Sequence, residues 1–400
     1  MKTAGGSTTK PAGAESVGLT DELVQISSEN TLNEEARRQP QPGGIGQSRR
    51  RNLHFDHKPS AKMDVLIHAI NNSDIGWKAD ICKLSNAPKN CHENKITNLA
   101  QVSDASEARA FGEGPEFNAV KEKVQKYQKL FKSADEIPDT ELPAQFDWRN
   151  VDGYDFTGKV RDQKGCGSCY TLGFTQAVES RMKVKYGQEG PAISAQMLLS
   201  CNYLNEGCEG GLPNFAAMFA ENAYLVSEEC APYKANTKYQ PCSSFSACKP
   251  EARISRSYDI GDGYGMASEK AMMKEILRNG ALNTEFLVPK IFQSYSEGIL
   301  SEKGIDILQK SIEEEKGKSS LAQGVSGESL ADRGKEFEKV NHSILLTGWG
   351  QNAFNGEKYW FARNSYGTHW GQHGDFLVKR GSDDFGIESQ AVGFEVETME

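Results

Sequence analysis

Gln163-Lys164-Gly165-Cys166-Gly167-Ser168-Cys169-Tyr170 is the stretch on which the reading of this chain turns, because it opens a helix with a thiol. Downstream, Tyr170, Phe174, Ala177, Val178, Arg181 and Met182 recur at three- and four-residue steps, which predicts an amphipathic helix ending near Gly187. Cys169 then stands in the first turn. Unpaired N–H groups and the positive end of the helix dipole there favour a thiolate, so a lowered pKa and a nucleophilic role are expected of Cys169.

The chain has 400 residues, 37% of them hydrophobic and 9% aromatic, enough for two or three domains with a sizeable core. The formal charge of −9 argues against nucleic acid or an anionic membrane as partner and suits work in an acidic compartment. No apolar run is long enough to span a membrane. Met1 to Lys10 has no apolar leader core, yet nine cysteines suit an oxidising compartment, and we read the N-terminus as incomplete.

Residues 1–60 are rich in Ser, Gly, Pro and charge, including Arg49-Arg50-Arg51, and read as a disordered tail. Met63 to Asn71 has helical apolar spacing, followed by Gly76-Trp77-Lys78-Ala79. The polar stretch 100–140, with a helix expected from Glu116 to Phe131, reads as a linker open to proteolysis. Helices are also expected at Ile193–Cys201, capped by Ser194, and at Asn214–Ala223. Beyond Tyr258, short aromatic and β-branched runs between glycines suggest an antiparallel barrel, and the charged residues 301–339 an exposed insertion.

A nucleophilic thiol needs a base, and the base needs an orienting group. Three histidines follow Cys169: His342, His369 and His373. His342 opens the apolar run Ser343-Ile344-Leu345-Leu346, a strand that starts with imidazole; a buried structural histidine is the bland alternative. Tyr359 to Arg363 reads as a second strand that delivers Asn364, whose amide can fix the imidazole tautomer. Gln163, six residues before the thiol, can donate to a developing oxyanion together with the Cys169 N–H.

Cys166-Gly167-Ser168-Cys169-Tyr170, with a distant His and Asn, resembles the signature of papain-like cysteine proteases. Within that family, Tyr170, Cys208-Glu209-Gly210-Gly211 and Ile387-Glu388-Ser389 are most similar to the cathepsin C branch, also called dipeptidyl peptidase I. The resemblance runs from Leu142-Pro143-Ala144-Gln145-Phe146-Asp147-Trp148-Arg149, which looks like a mature N-terminus, to the end of the chain. Ile70-Asn71, Trp77 and Ala79 resemble the propeptides of cathepsins B and C. His342 and Asn364 lie 173 and 195 residues after Cys169, beyond the roughly 130–150 of the family, and the insertion 301–339 accounts for the excess.

The resemblance implies an α+β papain-like fold with an N-terminal prosegment (61–141) and a peptidase domain (142–400). Its helical half is about 160–255 and its barrel half about 256–400. It implies a zymogen that hydrolyses peptide bonds through Cys169, His342, Asn364 and Gln163. Gly210 and Gly211 would let the substrate backbone approach, Trp370 would floor the leaving-group side, and Gln390 would close the S2 pocket and admit polar side chains. It pairs Cys166 with Cys208, Cys201 with Cys242 and Cys230 with Cys248, and leaves Cys82 and Cys91 as a local pair.

Two departures stand out. Tyr366 replaces the usual Trp and leaves less aromatic cover over the His342 to Asn364 bond, so reduced activity is expected. Of the tyrosines that hold a chloride in cathepsin C, Tyr264 is matched but another is Asn214, which puts chloride dependence in doubt. No organic cofactor is implied. A zinc or redox Cys-x-x-Cys reading of Cys166 and Cys169 lacks the other ligands, so no metal is expected. The expected partners are peptide substrates, the chain's own propeptide and further copies of itself, in a lysosome, a vacuole or outside the cell. Dipeptide release is preferred over endopeptidase action, with an impaired homologue that binds without cleaving as the third reading.

Overall fold

The computed structural model of the chain describes residues 67, 70–72, 75–80, 115–187, 189–238, 241–261, 263–308, 340–352 and 355–399. The tail 1–60, the Cys82–Cys91 pair and residues 309–339 of the expected insertion lie outside them.

Among the described residues ten strands form one sheet: β1 Trp77–Ala79, β2 Phe146–Asp147, β3 Leu225–Val226, β4 Pro250–Asp259, β5 Leu282–Phe286, β6 Tyr295–Leu300, β7 His342–Gln351, β8 Lys358–Arg363, β9 Asp375–Lys379 and β10 Ala391–Thr398. Their order is β1-β6-β9-β8-β7-β5-β10-β4-β3, with β2 paired to β7. As expected of the barrel half, the pairing is mostly antiparallel; β6 and β9 run parallel. The fold is α+β.

Among the described residues the helices that frame it are α1 Pro115–Leu130, α2 Cys169–Tyr186, α3 Ala195–Cys201, α4 Pro213–Asn222 and α5 Glu269–Asn279. The amphipathic expectation for α2 is corrected. All side chains from Cys169 to Val184 are buried, because α2 packs against α3 and α4 on one side and the sheet on the other. Its polar residues are matched inside: Arg181 pairs with Glu275 at 2.9 Å, and Lys183 Nζ donates to Thr157 O at 2.9 Å. The helix stops at Gly187, whose N–H closes on Lys183 O at 2.8 Å.

The stretch read as a linker is in part a packed element. Phe117, Val120, Val124 and Tyr127, at helical spacing on α1, are buried, and Phe117 meets Tyr154 with ring centroids 5.1 Å apart. Likewise the expected insertion is not exposed where it begins: residues 302–308 are helical, and Ile305 and Leu308 are in the core.

Asn71 explains the Ile-Asn, Trp, Ala pattern. Its side chain accepts from Ala79 N and donates to Ala79 O, both at 2.9 Å, which closes the segment so that Ile70 and Trp77 enter the core. β1 thereby extends the sheet along β6.

Candidate active site

The loop before α2 is clamped from several directions. Cys166 is bonded to Cys208, and Gly167 N donates to Cys208 O at 2.9 Å. A Cβ on Gly167 would stand 2.6 Å from that oxygen and 3.3 Å from Gly210 N, so glycine is what lets the two loops touch. Cys201–Cys242 and Cys230–Cys248 are also bonded. Closing loops of 42, 41 and 18 residues, these bridges contribute about 3–4 kcal/mol each.

Cys169 opens α2 and is the free cysteine among the described residues. The expected lowered pKa is corrected: burial pushes the thiol up to about 12. N–H donation from Ser343 opposes this, the charge of Glu285 adds to it, and the helix-start N–H groups of Tyr170 and Cys169 do not offset the lost solvation.

His342 opens β7 and Asn364 follows β8, so two neighbouring strands bring them together: His342 Nε2 lies 2.7 Å from Asn364 Oδ1. The tautomer follows from Ser365, whose N–H donates to the same Oδ1 at 2.7 Å. The atom facing the imidazole is therefore the oxygen, Nε2 carries the proton, and the neutral ring keeps Nδ1 as its acceptor. Burial lowers the His342 pKa to about 4, against the Asn364 hydrogen bond, which raises it. Tyr366 lies against the imidazole with centroids 5.1 Å apart and touches Trp370 at 5.6 Å.

Gln163 is held at both ends. Nε2 donates to Cys166 O at 3.0 Å, and Oε1 accepts from Ser365 Oγ at 2.6 Å. Its amide keeps one further N–H. Gly210 adopts φ +124°, and a Cβ there would meet nothing within 4 Å; one on Gly211 would meet the Asn205 side chain at 2.5 Å. Trp370 is buried, its Nε1 donating to Phe292 O at 3.2 Å.

Gln390 Oε1 accepts from Tyr264 at 2.6 Å, while Asn214 Nδ2 donates to Asp259. Among the described residues no three His, Cys, Asp or Glu side chains could hold a metal ion.

Three neighbours went unread in the sequence. Ser365 fixes both Gln163 and Asn364, and its place in Asn364-Ser365 was the available signal. Tyr233 donates to Gln163 O at 3.0 Å and contacts the Ser168 hydroxyl; nothing in Ala231-Pro232-Tyr233 marks it. Glu285 is a buried acid in the strand Leu282–Phe286, where alternation reads it as solvent-facing, so its burial had no signal in the sequence.

This chain belongs to the papain family of cysteine proteases. The family model described as papain family cysteine protease matches residues 142–314 and 311–394. The chain is 32% identical over 258 residues to "Cathepsin C" of Schistosoma mansoni, covering 64% of this chain and 52% of that one. It is 29% identical over 255 residues to "Pro-cathepsin H" of Bos taurus, covering 62% and 63%. It is 25% identical over 331 residues to "Dipeptidyl aminopeptidase 1" of Plasmodium falciparum, covering 65% and 45%. The chain thus spans about half to three fifths of the length of these relatives. The solved proform of the Amb a 11 cysteine protease, a ragweed pollen allergen, shares the fold with TM-score 0.54 at 20% identity, covering 85% of this chain and 82% of its own.

Proposed function

We propose that this papain-family peptidase cleaves peptide bonds with Cys169 as nucleophile, His342 as base and acid, and Asn364 as the group that orients the imidazole. The observation that carries this is the His342 to Asn364 bond, with the oxygen fixed by Ser365 N–H, which leaves Nδ1 free to take a proton. The thiol proton passes to Nδ1 as sulfur attacks the carbonyl carbon. The oxyanion accepts from the remaining Gln163 N–H and from Cys169 N–H. Nδ1 returns the proton to the departing amine, and water, activated by the same nitrogen, hydrolyses the thioester to a carboxylic acid. Gln163→Ala is expected to lower kcat by about 10²-fold with KM little changed.

In the covered arrangement the proton stays on sulfur, since burial raises the thiol and lowers the imidazole. That favours a latent precursor, in which β1 and its flanks are the prosegment and opening of the cleft lets solvent and substrate charge the pair. The three disulfides favour a lysosomal, vacuolar or secreted setting.

Likeness to cathepsin C and to a dipeptidyl aminopeptidase favours release of dipeptides from free N-termini. Mass spectrometry of products from one decapeptide, with its amine free or acetylated, tests this. Successive dipeptides from the free form alone are expected. Internal cuts in both forms would make it an endopeptidase, and intact peptide with unreacted Cys169 a binding homologue.

A further inference from the structure

β5 divides its side chains between two faces. Phe286 meets Phe292, Phe376 and Phe385 in the barrel core, and Thr284 Oγ1 donates to Gln390 O at 2.7 Å. Asn283 and Glu285 therefore turn the other way, toward α2. Asn283 marks that face: its Nδ2 donates to Ser343 Oγ at 2.8 Å and would lie 2.5 Å from a Cβ on Gly173.

Cys169 is one turn before Gly173 on the same side of α2, and Glu285 is one pleat beyond Asn283 on the same side of β5. The two steps end at the same place. Ser343 is the register partner of Glu285, and both act on the Cys169 thiol, the Ser343 backbone easing its ionisation and the Glu285 charge opposing it. Glu285 N also donates to Gln390 O at 3.2 Å, and the Gln390 side chain is held by Tyr264. A buried acid thus acts on the nucleophile from a strand whose backbone is bonded to Gln390.

We propose that Glu285 is a specificity-determining residue that recognises a cationic group of the substrate, an ammonium or guanidinium, next to the scissile bond. This rests on the peptidase reading above and names its substrate class. Cys169 is 8% exposed and Glu285 2%, so whatever opens the cleft to the thiol opens it beside the carboxylate. An acid placed there works against the thiolate unless a cation arrives with the substrate. A cationic substrate therefore gains twice, by pairing with Glu285 and by lifting its opposition to thiol ionisation.

The cation has two sources, the P2 side chain and the free α-amine, and three dipeptidyl coumarylamides separate them. With P1 alanine throughout, free-amine Arg against free-amine norleucine reads the side chain, and free-amine norleucine against acetyl-norleucine reads the amine. The wild-type enzyme is expected to favour the cation by 10- to 100-fold in kcat/KM in at least one arm. Glu285→Gln and Glu285→Ala are expected to bring that ratio to within about twofold of unity, and Glu285→Asp to retain part of it. Wild-type ratios near unity in both arms overturn the proposal without any variant, and so does a ratio that survives in Glu285→Gln or Glu285→Ala. Failure of the peptidase reading looks different: no hydrolysis of any of the three by wild type, with Cys169 inert to an epoxide warhead after the prosegment is removed.

Discussion

Alanine at position 169 or 342 is expected to lower kcat/KM on every peptide substrate by about 10⁴-fold or more, with the double variant hardly worse than either. The effect is large because each group is useless without the other. Cys169 is the free cysteine among the described residues, and His342 is the imidazole whose tautomer a neighbouring amide fixes. Circular dichroism should show both variants folded, since neither side chain carries the core. A Cys169→Ala enzyme that keeps more than about one per cent of wild-type activity would sink the assignment.

Alkylation gives a second readout. With the thiol pushed up to about 12 by burial, iodoacetamide should react slowly with the uncut chain at pH 7 and faster as pH rises. On the proposed precursor reading, cutting away the residues before Leu142 should raise the rate at pH 7 in wild type and leave it low in His342→Ala. Equal rates in cut wild type and cut His342→Ala would mean that the imidazole does not take the thiol proton.

Much of this was legible because papain-family chemistry sits in short local motifs. Cys166-Gly167-Ser168-Cys169 sets a helix start, and apolar runs opening at His342 and closing at Asn364 set two strands. What could not be read was solvation. The helix dipole argument for a thiolate at Cys169 is sound for an exposed helix end, but tertiary burial outweighs it. Solvation also misled the reading of α2, whose Gln176, Glu179 and Lys183 suggest a wet face that the packed structure lacks. Glu285 gave no local signal: alternating with Leu282, Thr284 and Phe286 it reads as a solvent-facing residue, and its burial depends on α2 crossing β5, which no local pattern encodes.

The strand that presents Asn364 is anchored by its preceding residue, and breaking that anchor should give the largest loss of stability. Arg363 Nε and Nη2 grip Asp375 at 2.7 and 3.0 Å, and Nη1 donates to Thr157 Oγ1 at 2.8 Å. Asp375 also accepts from Arg149, itself bound to Asp147, so four charges form one chain, in which Asp147, Arg363 and Asp375 are buried and Arg149 half-buried. Arg363→Met leaves a buried carboxylate with half its counter-charge, which costs about 3–5 kcal/mol and lowers Tm by roughly 10 °C. The exposed pair of Arg253 and Glu397 should show no measurable change on the same treatment. The sign with pH separates this from mere loss of packing. Burial pushes the Asp375 pKa up, but Arg363 and Arg149 hold it below the usual carboxylate value. Its contribution in wild type is therefore full above about pH 4 and is lost only as pH falls through the lower folded value. In Arg363→Met burial gains the upper hand and Asp375 protonates at higher pH, which relieves the buried charge. The deficit against wild type, read from urea unfolding between pH 7 and pH 4, should be greatest at pH 7 and shrink toward pH 4. A deficit that is constant across that range would mean the arginine acts by filling space and not by holding a charge.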